Sequence, residues 1–410
     1  MLITDSSYFN EAFNIIKWSE NKPFYPTQMD IALTTKCNLK CKFCFFSSDK
    51  NQISESEELS NAELLKTVRE GLKLGIKKWY IAGGEPLCRE EKLLSVLKVI
   101  KENHGYCSFT TNGTLFNELI IKRIIEIGCD EVIFSLDSAE PEIHDFLRGS
   151  PGTFDRAVDA IKKFQHIKNV LNKKKPLITI HAIIMNKNYK ELDKLILLGH
   201  KLGASNVFFT HLFRENDFYD SLKLKKEMNN DFMENVKKAH RISLKFGIKT
   251  NLEGYICTVN LNNLEKIDEL LNAKSSGNKN NLKKNLLSIP CYEPWYKVSM
   301  ASNGDVSCCC YFCEKKVKPD NIRQSNLTEI WHGKRLNNIR AGILKGEFPD
   351  SCKRCPTTRT IYNENIREYM KRLLYDKSGI KEKSSFSLQL NMMIIKSLLF
   401  FDNLIKKSKN

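Results

Sequence analysis

The chain is 410 residues long, enough for two domains or for one large domain with appendages, and its 41% apolar and 28% charged residues are the balance of a soluble globular protein with a sizeable core. A surplus of 65 basic over 48 acidic side chains, net +17, is spread in runs such as LNKKKP and NLKKN. Such runs read as solvated faces, with attraction to phosphorylated or otherwise acidic partners as the other reading. The 14 cysteines cluster and no secretory leader opens the chain, which speaks against a disulfide framework and for metal or cluster ligation in a reducing cytoplasm.

After an N-terminal extension at 1–29, short β-type runs alternate with helical patterns. Runs at 30–36, 77–84, 106–112, 131–137, 176–185 and 206–213 are rich in Ile, Val, Phe and Thr, and several are nearly continuous apolar stretches, as parallel strands covered on both faces are. Segments between them, such as AELLKTVREGLKLG, carry apolar residues at helical spacing, and Gly75, Gly128 and Gly203 fall where a helix C-cap belongs. Six such units in a row predict an α/β fold, a partial (β/α)6 TIM-type barrel over 30–250, with its chemistry at the carboxyl ends of the strands. A linker follows at 251–290, then a small cysteine-rich domain at 291–372. The last stretch, 373–410, reads as an amphipathic helix docked on the body. Contact with a membrane surface is its other reading, and Lys396 and Asp402 make it a poor transmembrane span.

At the end of the first strand, TTKCNLKCKFCFF (34–46) places Cys37, Cys41 and Cys44 within eight residues. A [4Fe–4S] cube takes one thiolate per iron, so a short loop with this spacing reaches three irons and leaves the fourth open. From the spacing alone, a zinc knuckle that borrows a distant fourth ligand is the alternative.

The second strand ends in YIAGGEPL (80–87). Together the C-x3-C-x2-C loop and the GGEP element resemble the radical S-adenosylmethionine (SAM) superfamily. The resemblance implies that SAM itself is the missing fourth ligand. It also implies that an external one-electron donor, such as flavodoxin or ferredoxin, reduces the cluster, which cleaves SAM to methionine and a hydrogen-abstracting 5′-deoxyadenosyl radical. By the same resemblance Gly83, Gly84, Glu85 and Pro86 form the element for the SAM amino group. Asn112 in TTNGT, with Ser135 and Asp137 in FSLDS, would stand near its ribose and carboxylate, and Arg148 in EPEIHDFLRG would reach the carboxylate. His144 reads as a satisfied helix residue. His181, His211 and Arg214, near the ends of the fifth and sixth strands, are candidates for contacting substrate in the pocket.

Farther on, Cys291, Cys309 (in Gly304-x4-Cys309), Cys352 and Cys355 resemble the auxiliary-cluster ligands of the SPASM and twitch subfamilies. The resemblance implies one auxiliary [4Fe–4S] cluster closed by four thiolates, serving electron transfer or substrate positioning. A structural zinc site is the alternative. No cysteine follows Cys355, and Ile361 and Asn365 stand where further ligands would be, so a single auxiliary cluster is expected. Cys308, Cys310 and Cys313 have no assigned role, though one of them could replace Cys309. Cys88, Cys107, Cys129 and Cys257 read as buried small apolar residues.

The expected function is therefore that of a radical SAM enzyme acting on a small polar substrate, sugar or nucleotide-sugar-like. Only some 29 residues precede the first strand, too few for a peptide-recognition domain, which ranks peptide or protein maturation second. A non-catalytic metal-binding, RNA-binding protein is a third reading from another class. Basic residues are not interleaved with aromatics as a nucleic-acid platform needs, so no nucleic-acid partner is expected.

Overall fold

The computed structural model of the chain describes residues 5–47, 52–212, 220–260, 286–289, 291–309, 319–347 and 360–375. Six parallel strands lie side by side in chain order: β1 (Gln28–Ala32), β2 (Lys78–Ala82), β3 (Tyr106–Thr111), β4 (Glu131–Ser135), β5 (Leu177–Ile184) and β6 (Asn206–His211). They match the six sequence runs, each ending a residue or more earlier because the last polar residues of each run belong to the loops above the sheet. The barrel is partial, with β6 at one edge. Beyond β1 the sheet continues into β7 (Lys297–Met300), parallel to β1, and then into antiparallel β8 (Asp305–Ser307) and β9 (Asp320–Asn321). The cysteine-rich part thus extends the same nine-stranded sheet.

Alternation along the strands sorts side chains onto two faces. One face, with Ile31, Trp79, Ile81, Phe109, Phe134, Ile180 and Phe209, is sealed beneath helices. Phe134, for example, meets Phe164 of the helix Thr153–Val170 edge-on, ring centroids 5.9 Å apart. Burying each such side chain contributes about 1.5–3 kcal/mol. The other face lines the lumen. The register pairs Tyr80 with Ser108, Thr110 with Ile133, Ser135 with His181 and Ile183 with Thr210. Counting in twos from these pairs puts Tyr80, Thr110, Ser135, His181 and Thr210 together on it, all partly exposed.

At the amino ends of the strands this lumen has a floor of mutually bonded polar groups. Glu131 accepts from Tyr106 Oη (2.9 Å) and Thr179 Oγ1 (2.5 Å). Asp30 accepts from Gln28 Nε2 (2.7 Å) and pairs with the fully buried Lys297 ammonium of β7 (2.8 Å), which also lies 3.2 Å from Glu293.

The N-terminal extension is not an isolated appendage. Its helix Asp5–Ser19 packs on the helix Thr360–Tyr375, with Tyr8 stacked near Tyr362 (5.0 Å) and Tyr369 (6.2 Å). Trp18 meets Trp295 edge-on at 5.3 Å, and Trp331 Nε1 donates to the Phe24 carbonyl at 3.2 Å. The C-cap expectations hold: Gly75, Gly128 and Gly203 have φ of +92°, +79° and +69°. Residues 261–285 of the expected linker and 376–410 of the expected last helix lie outside the described residues. Among the described residues, no helix is long and apolar enough to cross a membrane.

Candidate active site

The three-cysteine loop leaves the end of β1 and is clamped from three sides. On the first side, the ladder between β1 and β2 continues into the loop: Leu33 N donates to Ala82 O (2.8 Å), Gly84 N to Thr34 O (2.7 Å) and Glu85 N to Lys36 O (2.9 Å). This explains the paired glycines. Gly83 has φ +122°, and a Cβ on Gly84 would lie 2.6 Å from the Thr35 carbonyl oxygen. The two glycines admit the loop backbone itself. On the second side, Glu58 accepts from Thr34 Oγ1 and Thr35 N (3.3 Å) and is held by Arg89 Nε (3.0 Å). The third clamp is the carboxyl end of the helix Pro141–Arg148. Lys42 N donates to Leu147 O at 3.1 Å, and a Cβ on Gly149 (φ +71°) would stand 2.5 Å from Lys40 O.

Other strand ends close over this loop. Glu85 is buried, accepting from Leu87 N (3.1 Å), Thr111 Oγ1 (2.9 Å) and Asn112 N (2.7 Å). Burial nonetheless pushes its carboxyl up to about 7 against those bonds. Asn112 Nδ2 donates to Asn38 Oδ1 (2.9 Å) and points at Cys37 Sγ (3.9 Å), which the Leu39 N–H also approaches at 3.4 Å. Arg148 is buried, pairing through Nη2 with Asp137 (2.7 Å) and directing Nη1 at Cys41 Sγ (3.9 Å), with its guanidinium 5.4 Å from the Phe43 ring. The other Asp137 oxygen accepts Ile183 N at 3.0 Å. Burial pushes the Cys37 thiol up to about 12 and the Cys41 thiol upward too, so without metal both hold their protons.

The sequence expectations fare unequally. Cys37, Cys41, Cys44, Gly83, Gly84, Glu85, Pro86, Asn112, Ser135, Asp137 and Arg148 all gather at the carboxyl ends of β1 to β4 and the helix after β4. Glu85 and Asp137, however, are committed to internal bonds, and Arg148 is paired with Asp137 beneath Cys41, so these three act first as scaffold. His144 is a packing residue as expected: its Nδ1 accepts Asp137 N at 3.2 Å, and burial lowers its pKa to about 4.

His181 lies on the lumen face, 3.0 Å from Thr210 Oγ1, with its pKa lowered by burial. His211 corrects the expectation. It pairs in register with Ile184, on the helix-facing side, where its ring meets Phe232 (5.5 Å) and Tyr255 (5.0 Å) and burial lowers its pKa to about 4. Its neighbour Thr210 takes the lumen position. Arg214, Cys310, Cys313, Cys352 and Cys355 lie outside the described residues, as does the side chain of Cys257. Cys107 and Cys129 are buried, but Cys88 is partly exposed. Cys291 and Cys309 are partly buried at either end of the β7–β8 hairpin segment, and Cys308 is fully buried. Sequence reasoning missed Glu58 and Thr111, which are ordinary residue types in unremarkable contexts. It also missed Tyr80 and Thr110, whose hydroxyls lie 2.7 Å apart in the lumen and which strand parity would have found.

The family model of the radical SAM superfamily matches residues 31–198, and that of an iron–sulfur cluster-binding SPASM domain matches 291–356. Residues 31–198 thus carry a radical SAM domain and residues 291–356 a SPASM domain. A GTP 3′,8-cyclase of Clostridium perfringens is 30% identical over 216 residues, 52% of this chain and 62% of the relative. A probable GTP 3′,8-cyclase of Thermococcus kodakarensis is 34% identical over 145 residues, 35% of this chain and 46% of that one. The chain thus spans about half of the curated relatives it matches. Among solved structures, Streptococcus suis SuiB bound to S-adenosylmethionine superposes with a TM-score of 0.61 at 16% identity, covering 82% of this chain and 80% of that one, a likeness of fold.

The radical SAM domain implies a [4Fe–4S] cluster with SAM, for which the three-cysteine loop supplies the thiols, and the SPASM domain implies auxiliary iron–sulfur ligation. The loop fits such a cube. Its donor set is three thiols, and N–H groups from Leu39, Asn112 and Arg148 are directed at two of the sulfurs. Among the described residues no three His, Cys, Asp or Glu side chains converge on one ion. Among the described residues Arg148 Nε is buried without a hydrogen-bond partner, a donor left over that an anionic group could satisfy.

Proposed function

We propose that the chain is a radical SAM enzyme that removes a hydrogen atom from a small, polar, hydroxylated substrate seated in the lumen. The observation that carries the reading is the cluster of Tyr80, Thr110, Ser135, His181 and Thr210 on the lumen face, partly exposed while the opposite face is sealed. Bound at Cys37, Cys41 and Cys44, the cluster with SAM supplies one-electron cleavage of SAM and hydrogen-atom abstraction from carbon. The chain's own residues do the holding. The floor around Glu131, Asp30 and Lys297 closes the amino end of the lumen, so substrate enters from the side that carries the cysteine loop. The Tyr80–Thr110 and His181–Thr210 pairs can turn their donors and acceptors from each other onto substrate hydroxyls. Burial keeps His181 neutral, so its imidazole both donates and accepts.

Curated relatives named for cyclising GTP support a small-molecule substrate as a class; a sugar or nucleotide-linked sugar is the finer reading. Cys291, Cys309, Cys352 and Cys355 would hold one auxiliary cluster that takes the second electron of an oxidation.

Two measurements test this. Anaerobic reconstitution should give about eight irons, falling to about four in the Cys37→Ala/Cys41→Ala/Cys44→Ala variant. With SAM and reductant, 5′-deoxyadenosine should accumulate faster with a deuterium-labelled sugar or nucleotide-sugar, and the label should appear in it. Label transfer from a peptide, with none from small hydroxylated compounds, would replace this reading by peptide maturation.

A further inference from the structure

Arg340, on the helix Lys334–Leu344, is fully buried. Its Nε donates to the Pro294 carbonyl (2.8 Å), and its Nη1 to the Trp331 carbonyl (2.8 Å) and Asn337 Oδ1 (2.9 Å). The guanidinium lies 4.2 Å from the ring centroid of Trp331 and 4.8 Å from that of Phe24. Carbonyls, an amide and ring faces stabilise a cation, but none of them carries a charge that cancels it. Nη2 is buried and has no hydrogen-bond partner among the described residues, and among them no carboxylate pairs with this arginine. Other buried cations here are matched: Lys297 lies 2.8 Å from Asp30 and Arg148 2.7 Å from Asp137. On the same helix as Arg340, Arg335 stands 3.6 Å from Asp320. A charge taken out of water without an anion is costly, so buried charges are as a rule paired or set against a metal group.

The helix that carries Arg340 lies across both described segments with candidate auxiliary-cluster ligands. Pro294, whose carbonyl Arg340 holds, follows Cys291 by three residues. Arg335 Nη1 donates to the Val306 carbonyl at 3.1 Å, just before Cys308 and Cys309. Burial pushes the Arg340 guanidinium down to about 9, with the nearby Cys308 thiol acting against it. We infer that Arg340 is the internal counter-cation of the auxiliary iron–sulfur cluster and raises its reduction potential. The inference rests on the reading that Cys291 and Cys309, with Cys352 and Cys355, hold that cluster. Four thiolates make such a group an anion, which is the partner the arginine lacks. When it takes one electron from a substrate-derived radical the core goes from the 2+ to the 1+ state, the whole gains one negative charge, and no bond to iron is made or broken. A fixed cation in a dry interior favours the more negative state, and net charge is one of the levers that set the potential of such clusters. The cluster is thereby the better acceptor for the second electron of an oxidation.

The test is a potentiometric titration followed by the EPR signal of the reduced cluster, on the reconstituted full chain carrying Cys37→Ala/Cys41→Ala/Cys44→Ala, so that only the auxiliary cluster reports. Adding Arg340→Met should lower the midpoint by about 59 mV or more, which is a tenfold change in a one-electron equilibrium. Arg340→Lys keeps the charge but cannot span the same three acceptors. It should melt at a lower temperature, as Arg340→Met does, while its midpoint stays near that of the parent. Arg335→Met removes a cation that already has Asp320 as its partner, and should move the midpoint less than Arg340→Met does. An unchanged midpoint in Arg340→Met, an equal fall in Arg340→Lys, or an equal fall in Arg335→Met overturns the inference. If Arg340→Met loses its iron, Arg340→Lys decides: iron and midpoint kept there support the charge, whereas iron lost from both overturns it, since the bonds to the carbonyls would then be what matters. Failure of the cluster reading would show separately, as no iron in the parent triple-cysteine variant.

Discussion

Replacing Gly84 by alanine tests how the cysteine loop is seated. A Cβ there would lie 2.6 Å from the Thr35 carbonyl oxygen and nearer still to that of Lys36. A carbon–oxygen contact settles at about 3.3 Å, and the obstacles are backbone atoms that cannot swing aside, so the loop must retreat by about 1 Å. The bonds from Gly84 N to Thr34 O (2.7 Å) and Glu85 N to Lys36 O (2.9 Å) stretch with it, and the next residue is Cys37, the first ligand. Two weakened backbone bonds cost about 1–3 kcal/mol, which a protein stable by about 5–15 kcal/mol survives. A 1 Å error at a catalytic centre costs about 100-fold in rate. The expected Gly84→Ala protein is folded by circular dichroism, melts several degrees lower, retains about half the wild-type iron and forms 5′-deoxyadenosine about 100-fold more slowly. Gly128→Ala is the comparison. Its φ of +79° strains an alanine, but nothing lies within 4 Å of the added carbon, so about 1–2 kcal/mol of stability should go and all of the iron should stay. Full iron and full activity in Gly84→Ala, or equal iron loss in Gly128→Ala, would refute the reasoning.

Arg148→Met leaves the Asp137 carboxylate buried without its 2.7 Å ion pair and should destabilise by about 3–5 kcal/mol in urea unfolding. Adding Asp137→Asn should recover part of that loss, and no recovery would mean that the pair is not what holds the site. Burial raises the Glu11 carboxyl from 4.5 to about 7, against the bond from Tyr362 and the charge of Lys78. Between these values the folded chain keeps a proton that the unfolded chain has released, so stability should fall as pH rises from about 4.5 to 7, by up to about 3 kcal/mol. Glu11→Gln should flatten this slope in thermal melts at pH 5 and pH 8; an unchanged slope would assign the pH dependence to other groups.

The six strands were legible because a parallel strand covered on both faces reads as an unbroken apolar run, and the cysteine loop because ligand spacing is short-range information. What escaped was what depends on distant partners. The helix Asp5–Ser19 has no role until Tyr8 meets Tyr362. The pairing of β1 with β7 joins residues far apart in the chain, and no local pattern announces it. Strand parity was available and decisive at β6, where Thr210 and His211 point to opposite faces; nearness to the strand end favoured the histidine, and the register favours the threonine. Likewise Glu85 and Asp137 were readable as members of the site, while their commitment to neighbouring N–H groups and to Arg148 could only come from coordinates.

The ladder between β1 and β7 means that the chain cannot be cut cleanly at its linker. The backbone groups of residues 28–31 on that side are occupied by residues 297–300. A fragment ending before residue 291 would uncover a fresh strand edge, the kind of surface that recruits another chain and precipitates. The same ladder acts as a ruler. The loop with Cys37 springs from the carboxyl end of β1, whereas β8 runs back along β7 and leaves Cys309 toward the amino end, so the separation between the two cysteine-bearing segments is set by the length of these strands as well as by the step of about 4.8 Å between neighbours. An electron passing from one to the other would cross a distance built into the sheet, indifferent to what the intervening linker does.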